Sequence, residues 1–247
     1  MKTLGVLLIA IGVALTGAGL FGQLVLTEDE GHHDGREPDF ALESASGADE
    51  LIVEAVDGAT EREVRIERAG QVIVDYDEVH DAAIHAYAVA GNLDGYRHTI
   101  SEDASSDGVY RVGLPRTGAG RIVVQASPAG GPDLLELGAD PGEPDVEGGT
   151  PPEILPDEWT DGNLTVTRQG LDFVLSEPWS GDDHMGGPAF LALFHEDDFA
   201  FVHAHAELIG EDRFSFAADL PGLGDYLAAV EFHQDGELVT ALFRFSL

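Results

Sequence analysis

The chain has 247 residues, 43% of them hydrophobic, no cysteine, and a formal net charge of −35 from 47 acidic against 12 basic residues. That length and apolar content suffice for a real core in one or two domains. The absence of cysteine excludes disulfides, thiolate metal sites and a cysteine nucleophile, and the charge excludes nucleic acid as a partner, because little here can neutralise phosphates.

Lys2 is the sole lysine. Unscreened, so much like charge strains a compact fold, whereas at molar salt the screening length shrinks to about 3 Å and the repulsion largely vanishes. The chain therefore reads as the protein of a halophile.

After Met1-Lys2-Thr3, residues 4–26 carry no charge and are mostly Leu, Val, Ile, Ala and Gly. A helix of that length rises about 34 Å, enough to cross a bilayer with slight tilt. The run exceeds the roughly 7–15 apolar residues of a cleavable signal, and Ala18-Gly19 is a weak cleavage site. Residues 1–26 are thus expected to be a signal-anchor, a single-pass transmembrane helix in the cell membrane with Lys2 inside and the rest extracytoplasmic. Secretion after signal cleavage is the alternative. Residues 27–39 are acidic and glycine-punctuated, which reads as a stalk in which His32-His33 are solvated spacers.

Residues 40–137 show β-rich runs at 50–56, 63–67, 71–74, 83–90, 108–114 and 121–125, with turn clusters such as Asp57-Gly58 and Gly91-Asn92 between them. Residues 138–162 are rich in Pro, Gly and acid and read as a linker. Residues 163–247 resume the pattern at 164–168, 172–175, 190–194, 199–205, 214–218, 226–232 and 238–245. About seven short strands in roughly 85–100 residues is the pattern of an immunoglobulin-like sandwich. The predicted fold is all-β: two tandem immunoglobulin-like β-sandwich modules, 40–137 and 163–247, behind the N-terminal transmembrane helix.

The two modules repeat one pattern. His80 aligns with His184, Tyr96 with Phe201, His98 with His203, Leu114-Pro115 with Leu220-Pro221 and Val124 with Val230. The offset of about 105 residues is the size of a small β-domain and far longer than a solenoid period.

His203 and His205 stand two apart, so on a strand they share a face about 6.5–7 Å from each other. Imidazoles suit Cu(II), Zn(II) and Ni(II). His184 is followed by Met185, the only methionine besides Met1, whose thioether is a plausible soft ligand for copper. His203, His205, His184 and Met185 are expected to converge on one ion; the competing reading is a solvated strand face with Met185 filling a gap. In the first module His80 and His85 are five apart, which sends them to opposite faces of a regular strand. They share an ion only if His80 lies in a loop before the strand, or if a bulge intervenes. Ile100 follows His98 where a second histidine would complete a chelating pair, so core or turn roles for His80, His85 and His98 compete with ligation.

His195 and His233 sit beside acids and read as surface residues. Asn163-Leu164-Thr165 fits the N-glycosylation sequon at Asn163. No G-x-S-x-G, HExxH or phosphate-cradling glycine loop is present, so the chain reads as a binding protein and not an enzyme.

The stretches HDAAIHAYAVAGNLDGYRH and DGVYRVGLPRTGAG of the first module, and FLALFHEDDFAFVHAHAE of the second, resemble a family of secreted, largely uncharacterised bacterial and haloarchaeal proteins with duplicated H-x4-H…H-x-H β-modules. The resemblance implies handling of copper or another heavy metal outside the cytoplasm, with His80, His85, His98, His203 and His205 at the family's histidine positions. The chain departs from that pattern at Ile100, Phe190 and Ala206, which leaves the second module as the better candidate. The expected function is that of an extracytoplasmic, membrane-anchored protein that binds copper first, or another divalent transition metal. The alternative is a cell-surface structural or protein-interaction module with no metal, docking to a membrane or surface partner.

Overall fold

The computed structural model describes residues 49–56, 60–80, 82–101, 107–115, 119–131, 134–142 and 154–247. The expected transmembrane segment, the stalk and His32-His33 lie outside them. Among the described residues no helix is long and apolar enough to cross a membrane, and the chain is all-β.

The first strands are β1 (Asp49–Ala55), β2 (Glu61–Arg68), β3 (Gln71–Val72), β4 (Tyr76–Asp77), β5 (Ile84–Val89), β6 (Tyr96–Ser101), β7 (Tyr110–Gly113), β8 (Arg121–Pro128) and β9 (Leu135–Ala139). They are followed by β10 (Glu158–Asp161), β11 (Leu164–Gln169), β12 (Asp172–Leu175), β13 (Phe190–His195), β14 (Phe201–Ile209), β15 (Arg213–Phe216), β16 (Asp225–Gln234) and β17 (Glu237–Ser246). Two of these fall where a linker is expected: β9 runs on to Ala139, and β10 pairs with β11 through Trp159↔Val166 and Thr160↔Thr165. A tight turn at Gly162, whose φ is 58°, closes that hairpin and overrides the Pro/Gly-rich composition around it.

Among the described residues three antiparallel sheets form. β1-β2-β3 carries β7 on β2, β4-β8-β5-β6 carries β9 on β8, and the C-terminal sheet runs β10-β11-β12-β15-β14-β13-β16-β17. The order β8-β5-β6 recurs as β16-β13-β14. β14 changes neighbours along its length: Phe201 to His205 pair with β13, and Ala206 to Ile209 pair with β15.

Period-two alternation sorts the side chains of these strands into two destinations. Ile84, Ala86 and Ala88 of β5 join Ile122, Val124 and Ala126 of β8 in one apolar cluster with β2 and β7. Leu191 and Leu193 of β13 join Tyr226, Ala228, Val230 and Phe232 of β16 in a second. The other parity faces across the molecule: Tyr87, Val89 and Val123 pack against Phe190, Ala192, Phe194, Leu227 and Ala229 in a third cluster that joins the two halves. β5 and β13 are therefore buried on both faces along their whole length, and each fully buried aromatic there contributes about 1.5–3 kcal/mol.

Candidate metal centre

The parity that faces the other half carries the polar residues. His85 shares a face with Tyr87 on β5, and Gln125 with Val123 on β8. Glu231 shares a face with Ala229 on β16, while His98 on β6 and His203 and His205 on β14 complete the set. His85, Gln125, His203 and Glu231 are all buried.

Two tight turns feed this interface. Val79 and Ala82 exchange backbone bonds of 2.7 and 3.1 Å, as do His184 and Gly187 at 2.6 and 3.3 Å. The residue after the first position has positive φ in both turns, 49° at His80 and 55° at Met185. His80 thus corresponds structurally to Met185, one position beyond the expected equivalence with His184. Gly186, with φ of 91°, lets the second turn approach the first so closely that a Cβ there would lie 3.3 Å from His80 Nδ1.

His80 meets His203 and His205 across the interface. Each offers a ring nitrogen, and the three lie within 4.8 Å of one another. The ring centroids are 4.7 Å apart for His80–His205 and 5.6 Å for His203–His205. Behind them, Gln125 Nε2 donates to His203 Nδ1 at 2.7 Å. The amide turned the other way accepts from Nδ1–H and leaves the Nε2 lone pair to an ion, as the outer hydrogen-bond partners of metal-bound imidazoles do. Gln125 is in turn backed by Glu136, whose carboxyl burial pushes up to about 8 against the pull of Gln125 and Arg121.

A second group gathers His98, His184 and Glu231, again within 4.8 Å. Glu231 Oε2 accepts from His98 Nδ1 at 2.6 Å and stands 3.6 Å from His184 Nε2. Burial alone raises a carboxyl's pKa, but His184 and His98 beside it outweigh that and hold Glu231 down at about 2. His85 links the two groups. Its Nε2–H donates to Val79 O at 2.7 Å, so its Nδ1 accepts from His98 Nε2–H at 3.2 Å. Burial outweighs the Val79 carbonyl and lowers the His85 pKa to about 4, so the ring is neutral.

The expected quartet of His203, His205, His184 and Met185 is not the grouping found. His203 and His205 take His80 as their third member, and His184 goes with His98 and Glu231. Met185 is buried in the apolar cluster between the sheets, the gap-filling role. His80 does precede β5 in a turn, and its ring lies 6.0 Å from that of His85. Asn163 is exposed beside the β10–β11 turn.

His195 is a correction: it is buried, with Nδ1 at 2.7 Å from Asp198 Oδ1 and Nε2 donating to Leu223 O at 3.3 Å. Asp198, three residues on, is its partner and not a sign of exposure. His233 is half-buried, its ring 5.2 Å from that of His184. Sequence reasoning missed Gln125 and Glu231. The available signal was a single polar residue interrupting a buried apolar run at matching positions, in Ile122-Val123-Val124-Gln125 and Ala228-Ala229-Val230-Glu231. No family model and no curated protein matches this chain, so its site is read from geometry and donor chemistry.

Proposed function

We propose that the protein binds a transition metal, copper first, outside the cytoplasm, as a binding protein and not an enzyme. One observation carries this reading: three imidazoles from distant parts of the chain, His80 before β5 and His203 and His205 on β14, bring a nitrogen each within 4.8 Å of the others. An all-nitrogen set suits Cu(II) and Zn(II), and the Irving–Williams order favours copper. Anchoring through residues 1–26, immunoglobulin-like modules and adaptation to high salt belong to the same proposal. They are supported by the uncharged N-terminal run, by the antiparallel sheets with their repeated strand order, and by the −35 charge.

The test is titration calorimetry of the full-length chain in detergent and molar KCl, with Cu(II) and Zn(II) in parallel. Copper binds tighter than zinc, and the His203→Ala/His205→Ala variant loses that affinity. Equal copper affinity in both proteins, or none in either, removes the site. The rival, a structural module without metal, then stands.

A further inference from the structure

We propose that His98, His184 and Glu231 make a second metal centre, which takes one divalent first-row ion through two imidazoles and a carboxylate. The proposal goes beyond the all-imidazole centre of His80, His203 and His205, shares no ligand with it, and can fail separately from it.

All three side chains are nearly dry: His98 is 4% exposed, His184 8% and Glu231 2%. A carboxylate taken that far from water needs cationic partners. His98 meets that need only in part, through its 2.6 Å bond to Oε2. His184 stops short: its Nε2 is buried, makes no hydrogen bond, and stands 3.6 Å from the same oxygen. A buried imidazole nitrogen held only by an ion pair, without a hydrogen bond, is incompletely satisfied. That separation fits shared ligation, because two atoms each about 2.1 Å from one tetrahedral ion stand about 3.4 Å apart, and the 2.6 Å His98–Glu231 pair must open to the same spacing as the ion displaces the proton between them.

The surroundings aim the same atoms. His98 Nε2–H is occupied by His85 Nδ1, and His85 is itself fixed by Val79 O. That chain turns His98 Nδ1 toward Glu231, the orienting role that outer partners of metal-bound histidines play. His85 is thus a positioning residue here and not a ligand. On the other side, Thr240 Oγ1 donates to Glu231 Oε1 at 3.4 Å and leaves Oε2 to the imidazoles. The ligands come from β6, from β16 and from the turn before β13, so an ion here joins the two halves of the molecule. The carboxylate makes this centre harder than its neighbour and suited to Zn(II), Co(II), Mn(II) or Fe(II).

The experiment uses the metal-stripped full-length chain in detergent and molar KCl, titrated with Co(II) and read by visible d–d absorption and by stoichiometry. The wild type takes two equivalents. Glu231→Gln and His184→Ala each lose one equivalent, and His203→Ala/His205→Ala loses the other. His184→Ala leaves the His98–Glu231 pair intact, so near-UV circular dichroism of that variant stays native and its lost equivalent reports ligation. Two equivalents retained in both Glu231→Gln and His184→Ala overturn the second centre. So does a wild type that takes one equivalent and loses it only in the His203→Ala/His205→Ala variant. A single equivalent lost in Glu231→Gln and His184→Ala but kept in His203→Ala/His205→Ala supports the second centre and removes the first. No binding by the wild type removes both.

Discussion

His98 Nδ1 and Glu231 Oε2 lie 2.6 Å apart although 133 positions separate them in the chain. Their counterparts cross the same interface in the opposite sense: Gln125 of β8 donates to His203 of β14 at 2.7 Å. β6 and β14 occupy matching places in the two sheets, as do β8 and β16. The same crossing is therefore made twice, once with an amide and once with a carboxylate. That one exchange makes the first crossing neutral, beside an all-imidazole group, and the second charged, beside a mixed one.

Removing one partner of the charged crossing strands the other. His98→Ala is expected to destabilise the protein by about 3–5 kcal/mol, because Glu231 stays buried without its main hydrogen-bonded partner. Adding Glu231→Gln, which imitates the neutral crossing, should recover most of that loss. Denaturant unfolding of the two single variants and the double variant gives the coupling; additive effects refute it.

Three interior groups shape the pH response, two of them toward acid and one toward alkali. Glu231, held at about 2 against an ordinary value of 4.5, contributes stability that is present above about 4.5 and is lost as pH falls toward 2. His85, at about 4 against 6.5, costs stability as pH falls from 6.5 to 4, since the unfolded ring takes up a proton that the folded one refuses. Glu136, at about 8 against 4.5, costs stability as pH rises from 4.5 to 8, because the unfolded carboxyl ionises first. The last two slopes oppose each other between 4.5 and 6.5. Stability in molar salt should be level in that window, fall below it, and decline by about 2 kcal/mol toward pH 8. Glu136→Gln should abolish the alkaline decline; a decline unchanged in that variant rejects the assignment.

Gly186 separates a packing effect from a backbone effect. Its φ of 91° disfavours any other residue, and a Cβ would press on His80 Nδ1 at 3.3 Å. Gly186→Ala is expected to cost about 1 kcal/mol and to weaken metal binding several-fold as the His80 ring moves. Gly170, with φ of 72° and nothing within 4 Å of its added Cβ, is the control. Gly170→Ala should lose similar stability while its metal affinity stays wild-type. Equal affinity in the two variants means that the His80 ring position does not matter.

Much of the strand pattern is legible in the sequence, because burial against a module's own core obeys period two. β12 is expected at 172–175 and found there, and β13, β16 and β17 differ from expectation by three residues or fewer at either end. β6 is not legible, since Tyr96–Ser101 alternates against a histidine that packs on the other half and leaves Ile100 exposed. The pairing of His203 and His205 is readable from their spacing. Their third partner is not, because His80 reaches them through a tertiary contact between two turns with no local signature. Glu231 is hidden for the same reason: its partners come from β6 and from the turn before β13.

The charge makes salt a structural variable. Of the described ion pairs, several join an arginine to one acid, as in Arg68–Asp49 and Arg168–Asp157, and the remaining acids repel one another. The chain should be folded in molar KCl and lose stability at tens of millimolar salt, where the screening length grows well beyond about 10 Å. Identical circular dichroism and identical unfolding midpoints in the two conditions contradict the halophilic reading.

Metal removal should leave the fold standing. Both halves have apolar clusters of their own, around Phe173, Phe214 and Phe243 in one and Ile66, Ile84 and Leu114 in the other, and a third cluster holds them together. A chelator is therefore expected to leave far-UV circular dichroism unchanged, unlike a zinc finger, whose folding energy is its metal. What the ion adds is linkage: about 2.7 kcal/mol when free metal exceeds Kd a hundredfold. Because the ligands of the first centre come from the turn before β5 and from β14, that gain should concentrate where the halves meet. Amide exchange should slow most on β5, β6 and β14 and least on the outer strands β1, β2 and β11. Loss of the far-UV signal in chelator, or uniform slowing across all strands, overturns this view of the metal as a clasp on an already folded protein.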